Sequence, residues 1–165
     1  MSLASRDDLL AYLADLVQHL ERFGVSLLPP DDGDEINLGE EPTGSLVIEL
    51  GGRLPVARRS KHVDLTIFER WRPQGSDEWL LDEYGYELLD HALDYRRALH
   101  RHDVDAFVRS HGRATHEHCE PTIGVVDCDH YAGEPVRDAF DAFERLYGLW
   151  LSGERPDCAV LICLG

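Results

Sequence analysis

Lysine is almost missing from this chain. Of 16 basic residues only Lys61 is a lysine, set against 32 acids, and the formal net charge is −16 over 165 residues. An acidic, lysine-poor composition is the pattern of proteins adapted to salt, where carboxylates hold hydrated cations and the Debye length falls to about 3 Å at 1 M. We therefore read the charge as a halophilic adaptation, which removes the basic-patch test for nucleic acid and leaves local arginine placement to decide binding. Four cysteines, Cys119, Cys128, Cys158 and Cys163, are too few for a disulfide scaffold, and in a reducing cytoplasm they are thiols or metal ligands. No apolar run approaches a membrane span and Met1–Asp8 has no signal-peptide layout, so the expected protein is soluble and cytoplasmic, with no membrane partner. A Gly-rich phosphate loop, a Gly-x-Ser-x-Gly elbow, a His-Glu-x-x-His helix and a dinucleotide fingerprint are all absent. With 43% hydrophobic residues the chain is nevertheless an ordinary globular domain and not an acidic disordered tail.

The expected architecture is α+β. Leu9, Leu10, Leu13, Leu16, Val17 and Leu20 recur at three- and four-residue steps, with Ser5 placed to cap and Asp7 and Asp8 in the first turn. This predicts an amphipathic helix from Arg6 to Phe23, stopped at Gly24, within an N-terminal segment 1–28. Residues 29–44 are acidic and rich in Pro and Gly, and read as a solvated linker that leaves the helix as an appendage or a docking element, including for a second copy of the chain. Over 45–165 the period changes. Ser45–Leu50, Val63–Arg72, Trp79–Leu89 and Leu93–His102 predict a meander of four to five antiparallel strands. In the second of these, alternation puts Val63, Leu65, Ile67, Glu69 and Trp71 on one face, which is mostly core. A helix from Glu134 to about Leu151 then packs on the sheet, and the apolar run Cys158–Leu164 predicts a buried last strand.

Seven of the nine histidines fall between His91 and His130, a density that core packing does not explain. In strands, residues two apart share a face, so His100 pairs with His102, His116 with His118 and Cys128 with His130. One expectation is a metal site of His116, His118, Cys128 and His130, with mixed thiolate and imidazole ligation favouring Zn²⁺. Against it stands the plainer reading of polar strand ends, with Cys119 and Cys128 as small core residues. A second expectation is metal-free acid–base catalysis on a phosphodiester by His100, His102, His116 and His118, with Asp103 orienting a ring and Arg97 and Arg101 binding phosphate. The competing reading pairs Arg96 and Arg97 with Asp82, Glu83 or Glu87 across a neighbouring strand. Tyr84, Tyr86, Tyr95 and Trp79 fit either a base-stacking surface or ordinary strand packing.

The order of these elements carries a resemblance. Phe68-Glu69-Arg70-Trp71-Arg72-Pro73 is followed by the strand pair Tyr84-Gly85-Tyr86 and Tyr95-Arg96-Arg97, then Asp103, then His116-Glu117-His118, then a closing helix with Phe140 and Phe143. From about Ser45 to Trp150 this resembles the TumE-type toxin family of prokaryotic toxin–antitoxin modules. The family's Asp-Asn stands here as Asp103-Val104, and the N-terminal helix, the cysteine pair and the apolar end strand have no counterpart in it. The resemblance implies a growth-inhibiting protein neutralised by a small helix-turn-helix antitoxin, with RNA as the target of cleavage. The alternative from a different class is a non-catalytic, zinc-stabilised partner-binding module.

Overall fold

The computed structural model describes residues 4–28, 38–55, 63–101, 114–119, 122–124, 128–130 and 136–153. Helix α1 spans Arg6–Arg22, and its N-terminus closes as the sequence predicts. The Ser5 hydroxyl accepts from the Asp8 N–H while the Asp8 carboxylate accepts from the Ser5 N–H, so two of the helix's unsatisfied donors are met reciprocally. Gly24 follows at φ +77°, a conformation that a side chain disfavours, and the chain turns into the sheet.

The strands are β1 (Ser26–Leu28), β2 (Gly39–Glu40), β3 (Leu46–Leu54), β4 (Val63–Pro73), β5 (Trp79–Asp90), β6 (Tyr95–Arg101), β7 (Thr115–Cys119) and β8 (Cys128–His130). All pair antiparallel in one sheet of order β1-β3-β4-β5-β6-β7-β8, with β2 sharing the edge of β3 beside β1. The expected meander is therefore the centre of a wider sheet. The extra strands are two to five residues long, too short to show a period of their own. Strand β6 begins two residues later than expected, because Asp90 folds a turn there and accepts from the Ala92 and Leu93 N–H groups. Helix α2 covers Ala139–Ser152 and starts later than its apolar period suggests. Asp138 caps it by accepting from the Asp141 N–H, leaving Val136 to pack in the core from the preceding loop, and Gly153 in the left-handed region ends it. The run Cys158–Leu164 lies outside the described residues.

Both helices pack on the same face of the sheet. Leu9, Leu13, Leu16 and Leu20 of α1 join Leu46, Ile48, Ile67 and Leu88 of the strands and Phe143 and Leu146 of α2 in one buried cluster. Between the helices, Phe23 meets Phe143 and Tyr147 edge-on, with His19 against Phe23 and Phe140. The expectation of an appended or partner-docking N-terminal helix is thus corrected. Its apolar stripe is spent on its own core, because the twisted sheet leaves a face that α2 alone does not cover. The linker is corrected in part too: Leu38 is buried and Gly39–Glu40 pair with β3, while residues 29–37 lie outside the described residues. Among the described residues no helix is long and apolar enough to cross a membrane.

Leu16→Ala tests the integral role of α1. Loss of this fully buried side chain should lower unfolding free energy by about 2–5 kcal/mol in urea titration followed through the sheet's signal, whereas a detached helix would leave that signal unmoved.

Candidate functional site

Strand pairing sorts the chemistry of β4–β8 onto two faces. In antiparallel pairs, register partners lie on the same side of the sheet. Glu69, Tyr84, Arg101 and Thr115 form one row, and Ile67, Tyr86, Leu99 and Glu117 form the next; both lie on the helix side. Phe68, Gly85, His100 and His116 form a row on the opposite, outer side.

The outer side is laced by cross-strand ion pairs: Arg53–Asp64, Arg70 with both Glu41 and Glu83, Arg72–Asp82 and Arg96–Glu87. The competing expectation for Arg96 is the one realised, at 2.6 Å from Glu87. At the β6–β7 end the ladder gives way to histidines. His100 and His116 are register partners, with ring centroids 5.5 Å apart and planes at 90°. The His100 ring lies over the Gly85 backbone, where an added Cβ would stand 3.4 Å from His100 Cδ2, in ordinary contact. The sequence left open whether the His100 and His116 segments meet, and the pairing of β6 with β7 joins them. His102 and Asp103 lie outside the described residues.

The proposed metal quartet is not gathered on one face. Position 118 shares the face of His116, but Cys128 pairs with Cys119 and His130 with Glu117, and those positions belong to the helix side. The strands are adjacent as expected, yet their register is offset by one residue from the one that would bring the four together. Among the described residues no group of three or more His, Cys, Asp or Glu side chains is arranged to hold a metal ion.

Arg97 and Arg101, expected beside the histidines as phosphate ligands, lie on the helix side instead, because they alternate with Arg96, Ala98 and His100 along β6. Arg97 is buried and its Nε donates to Glu117 Oε1; Arg145 of α2 reaches Glu117 Oε2 at 3.3 Å. Tyr84, Tyr86 and Tyr95 are buried as well, with Tyr84 stacked on Tyr86 at 4.9 Å, so of the two readings for these tyrosines the structure shows strand packing.

Glu69, a residue with no expected role, is the most unusual group on this side. It is wholly buried. Tyr12 and Tyr86 donate their hydroxyls to its Oε1 at 2.8 and 2.6 Å, and Trp71 Nε1 donates to Oε2 at 3.1 Å. The Tyr12 oxygen in turn accepts the Ala139 N–H at 3.0 Å, satisfying an unpaired donor at the start of α2. Burial raises the Glu69 pKa above its ordinary value, the three donors pull it back and the Asp138 carboxylate adds to the rise. Burial likewise pushes the Tyr12 and Tyr86 phenols up, with the Glu69 carboxylate reinforcing the shift. The signal was visible in the sequence as an acid on the apolar face of β4.

No protein-family model, curated protein or solved structure matches this chain.

The raised Glu69 pKa has a definite sign in stability. Below its unfolded value of about 4.5 both states are protonated; as pH rises past it the unfolded state ionises first, so Glu69's contribution falls until the folded pKa is passed. Glu69→Gln should abolish that fall. Urea midpoints of wild type relative to the variant should decrease between acidic and neutral pH, and parallel curves would refute the assignment.

Proposed function

We propose that the protein is a toxin-like, RNA-directed acid–base enzyme centred on the His100–His116 pair. The observation that carries the reading is the register pairing of these two imidazoles at 5.5 Å. Histidine changes charge near neutral pH, so two rings at this separation supply opposite proton-transfer roles from one pair. The neutral ring takes the proton of a ribose 2′-hydroxyl as its oxygen attacks phosphorus. The protonated ring gives its proton to the departing 5′-oxygen, leaving a 2′,3′-cyclic phosphate. The imidazolium also offsets the charge gathering on the phosphoryl oxygens, a role that Arg97 and Arg101 do not share from the far side of the sheet. The resemblance of the strand and His-x-His order to the TumE-type family supports the toxin reading, with a small helix-turn-helix antitoxin as the neutralising partner.

One observation favours a second reading, the zinc-stabilised partner-binding module. Register sets position 118 on the face of His100 and His116, so three imidazole-bearing positions share one side. Zinc accepts imidazole nitrogen at about 2.0–2.1 Å, and such a set would replace the mixed thiolate set.

His100→Ala decides between them. On the acid–base reading it lowers cleavage of single-stranded RNA by about 10²–10⁴-fold, removes one limb of a bell-shaped pH profile and relieves growth inhibition on induced expression. On the zinc reading, wild type purified without chelator carries stoichiometric zinc that the variant loses. Wild type that neither cleaves RNA nor slows growth refutes the toxin assignment. The composition carries a companion proposal, a salt-adapted host. Raising KCl from about 0.1 M to about 2 M should then raise the urea midpoint, as screening relieves the self-repulsion of the −16 charge.

A further inference from the structure

The ion-pair ladder on the outer side of the sheet leaves out two residues that stand in the histidine row. Successive register pairs run Glu49, Phe68, Gly85, His100, His116 from β3 to β7, all on the outer side. Phe68 is a large aromatic side chain that belongs neither to the buried cluster nor to the hydrophobic residues packed against it. Among the described residues its one ring contact is with Arg70, whose guanidinium carbon lies 5.3 Å from the ring centroid. Arg70 stands two residues along the same strand and is itself held by Glu41 and Glu83. The opposite face of the ring looks toward Thr66, two residues the other way and exposed.

Glu49 is exposed and makes no hydrogen bond or ion pair among the described residues, in contrast to Asp64, Asp82, Glu83 and Glu87 of the ladder. Neighbouring strands stand about 5 Å apart, so at the backbone Phe68 is about 5 Å from Glu49 and about 10 Å from His100. Gly85 puts no side chain between Phe68 and His100, and the His100 ring leans over its backbone. The row therefore presents, in one line, a pair of proton-transfer rings, a bare stretch of backbone, an aromatic platform and a carboxylate. A nucleotide has the same linear order: phosphate and 2′-hydroxyl, ribose, base, and the Watson–Crick edge of the base. Unstacked bases of single-stranded RNA are taken up on aromatic rings and read on that edge. A carboxylate only accepts hydrogen bonds. Guanine matches it best, with the N1–H and N2–H donors side by side, whereas uracil has one N–H flanked by two carbonyl oxygens that repel a carboxylate.

We infer that Phe68 and Glu49 form a nucleobase subsite that selects guanine on the 5′ side of the bond cleaved at the His100–His116 pair. The base stacks on Phe68, its N1–H and N2–H donate to the Glu49 carboxylate, and its ribose crosses Gly85 so that the 2′-hydroxyl reaches the imidazoles. Arg70 braces the platform from the other face of the ring. The inference rests on the acid–base reading for what is done to the nucleotide, and on Phe68 and Glu49 for which nucleotide is taken.

Calorimetric titration of the full chain with guanosine 3′-monophosphate and with uridine 3′-monophosphate tests the subsite without turnover. Wild type should bind the guanine nucleotide about tenfold or more tightly than the uracil one. Glu49→Gln should bring that ratio close to one; the ratio is the readout, because losing a negative charge also eases the approach of phosphate. Phe68→Leu keeps the apolar bulk and should weaken guanosine 3′-monophosphate by about 5–100-fold, while Phe68→Tyr restores it. Circular dichroism checks that each variant is folded, and Glu49, being exposed, tests the subsite even if Phe68→Leu does not fold. In cleavage, the same variants should shift the kcat/KM ratio of guanylyl-3′,5′-cytidine to uridylyl-3′,5′-cytidine and not the pH profile. Guanine preference in binding with no cleavage upholds the subsite and overturns the acid–base reading. Cleavage without guanine preference upholds the acid–base reading and overturns the subsite. The absence of saturable nucleotide binding, or a preference that survives in folded Glu49→Gln, also overturns the subsite.

Discussion

The Glu69 carboxylate is held among the described residues by phenol and indole donors, not by a cation, and the assembly of helices on sheet turns on that choice. Tyr12 reaches it from α1, Trp71 from its own strand and Tyr86 from β5, while the Tyr12 oxygen also receives the first N–H of α2. Four elements therefore share one polar knot inside an apolar cluster. A buried carboxylate lacking any of these donors would cost more than the surrounding leucines return, so each donor is tied to the presence of the others. The knot fixes how α1 and α2 lie on the sheet, and through α2 it sets where Arg145 meets Glu117 and where Trp150 donates to the buried Asp90 at 3.1 Å.

With the helices fixed on one side, the sheet separates two chemistries that are interleaved along the chain. Arg96 and Arg97 are neighbours in sequence, yet one closes a half-buried ion pair with Glu87 on the outer side and the other enters a buried pair with Glu117. His116 and Glu117 also fall on opposite faces, although both are buried. The outer side carries a neutralised charge ladder that ends at the imidazole pair, and the helix side carries carboxylates and guanidiniums removed from water. Charges on the two sides also answer differently to salt. The half-buried outer pairs are weakened by molar salt more than Glu69 and the fully buried Arg97–Glu117 pair, so an acid-rich coat coexists with specific interior electrostatics.

Much of the fold was legible along the chain. The Ser5 cap, the leucine period of α1, its Gly24 stop and the alternation in Val63–Trp71 each act over a few residues, and each appears in the structure with its expected mechanism. The candidate site was legible only as an inventory. The histidine density marked β6–β7, and Glu69 stood out on an apolar face, but the metal quartet and the arginine–histidine site both assumed that nearness in sequence carries across strands. A shift of one residue in pairing sends a side chain to the other face of a sheet, and nothing local to Cys128 or Arg97 records which pairing wins.

The sequence by itself determined the α+β class, both helices, the central strands and the acidic, nearly lysine-free composition, because periodicity, capping and charge are properties of short segments or of sums. Only the tertiary structure decided that α1 belongs to the core, that His100 faces His116, that Arg97 turns inward to Glu117 and that Glu69 is enclosed by Tyr12, Trp71 and Tyr86. Those outcomes depend on strand register and on which surface two helices cover together. Both are settled by long-range packing, in which burying one residue constrains partners dozens of positions away.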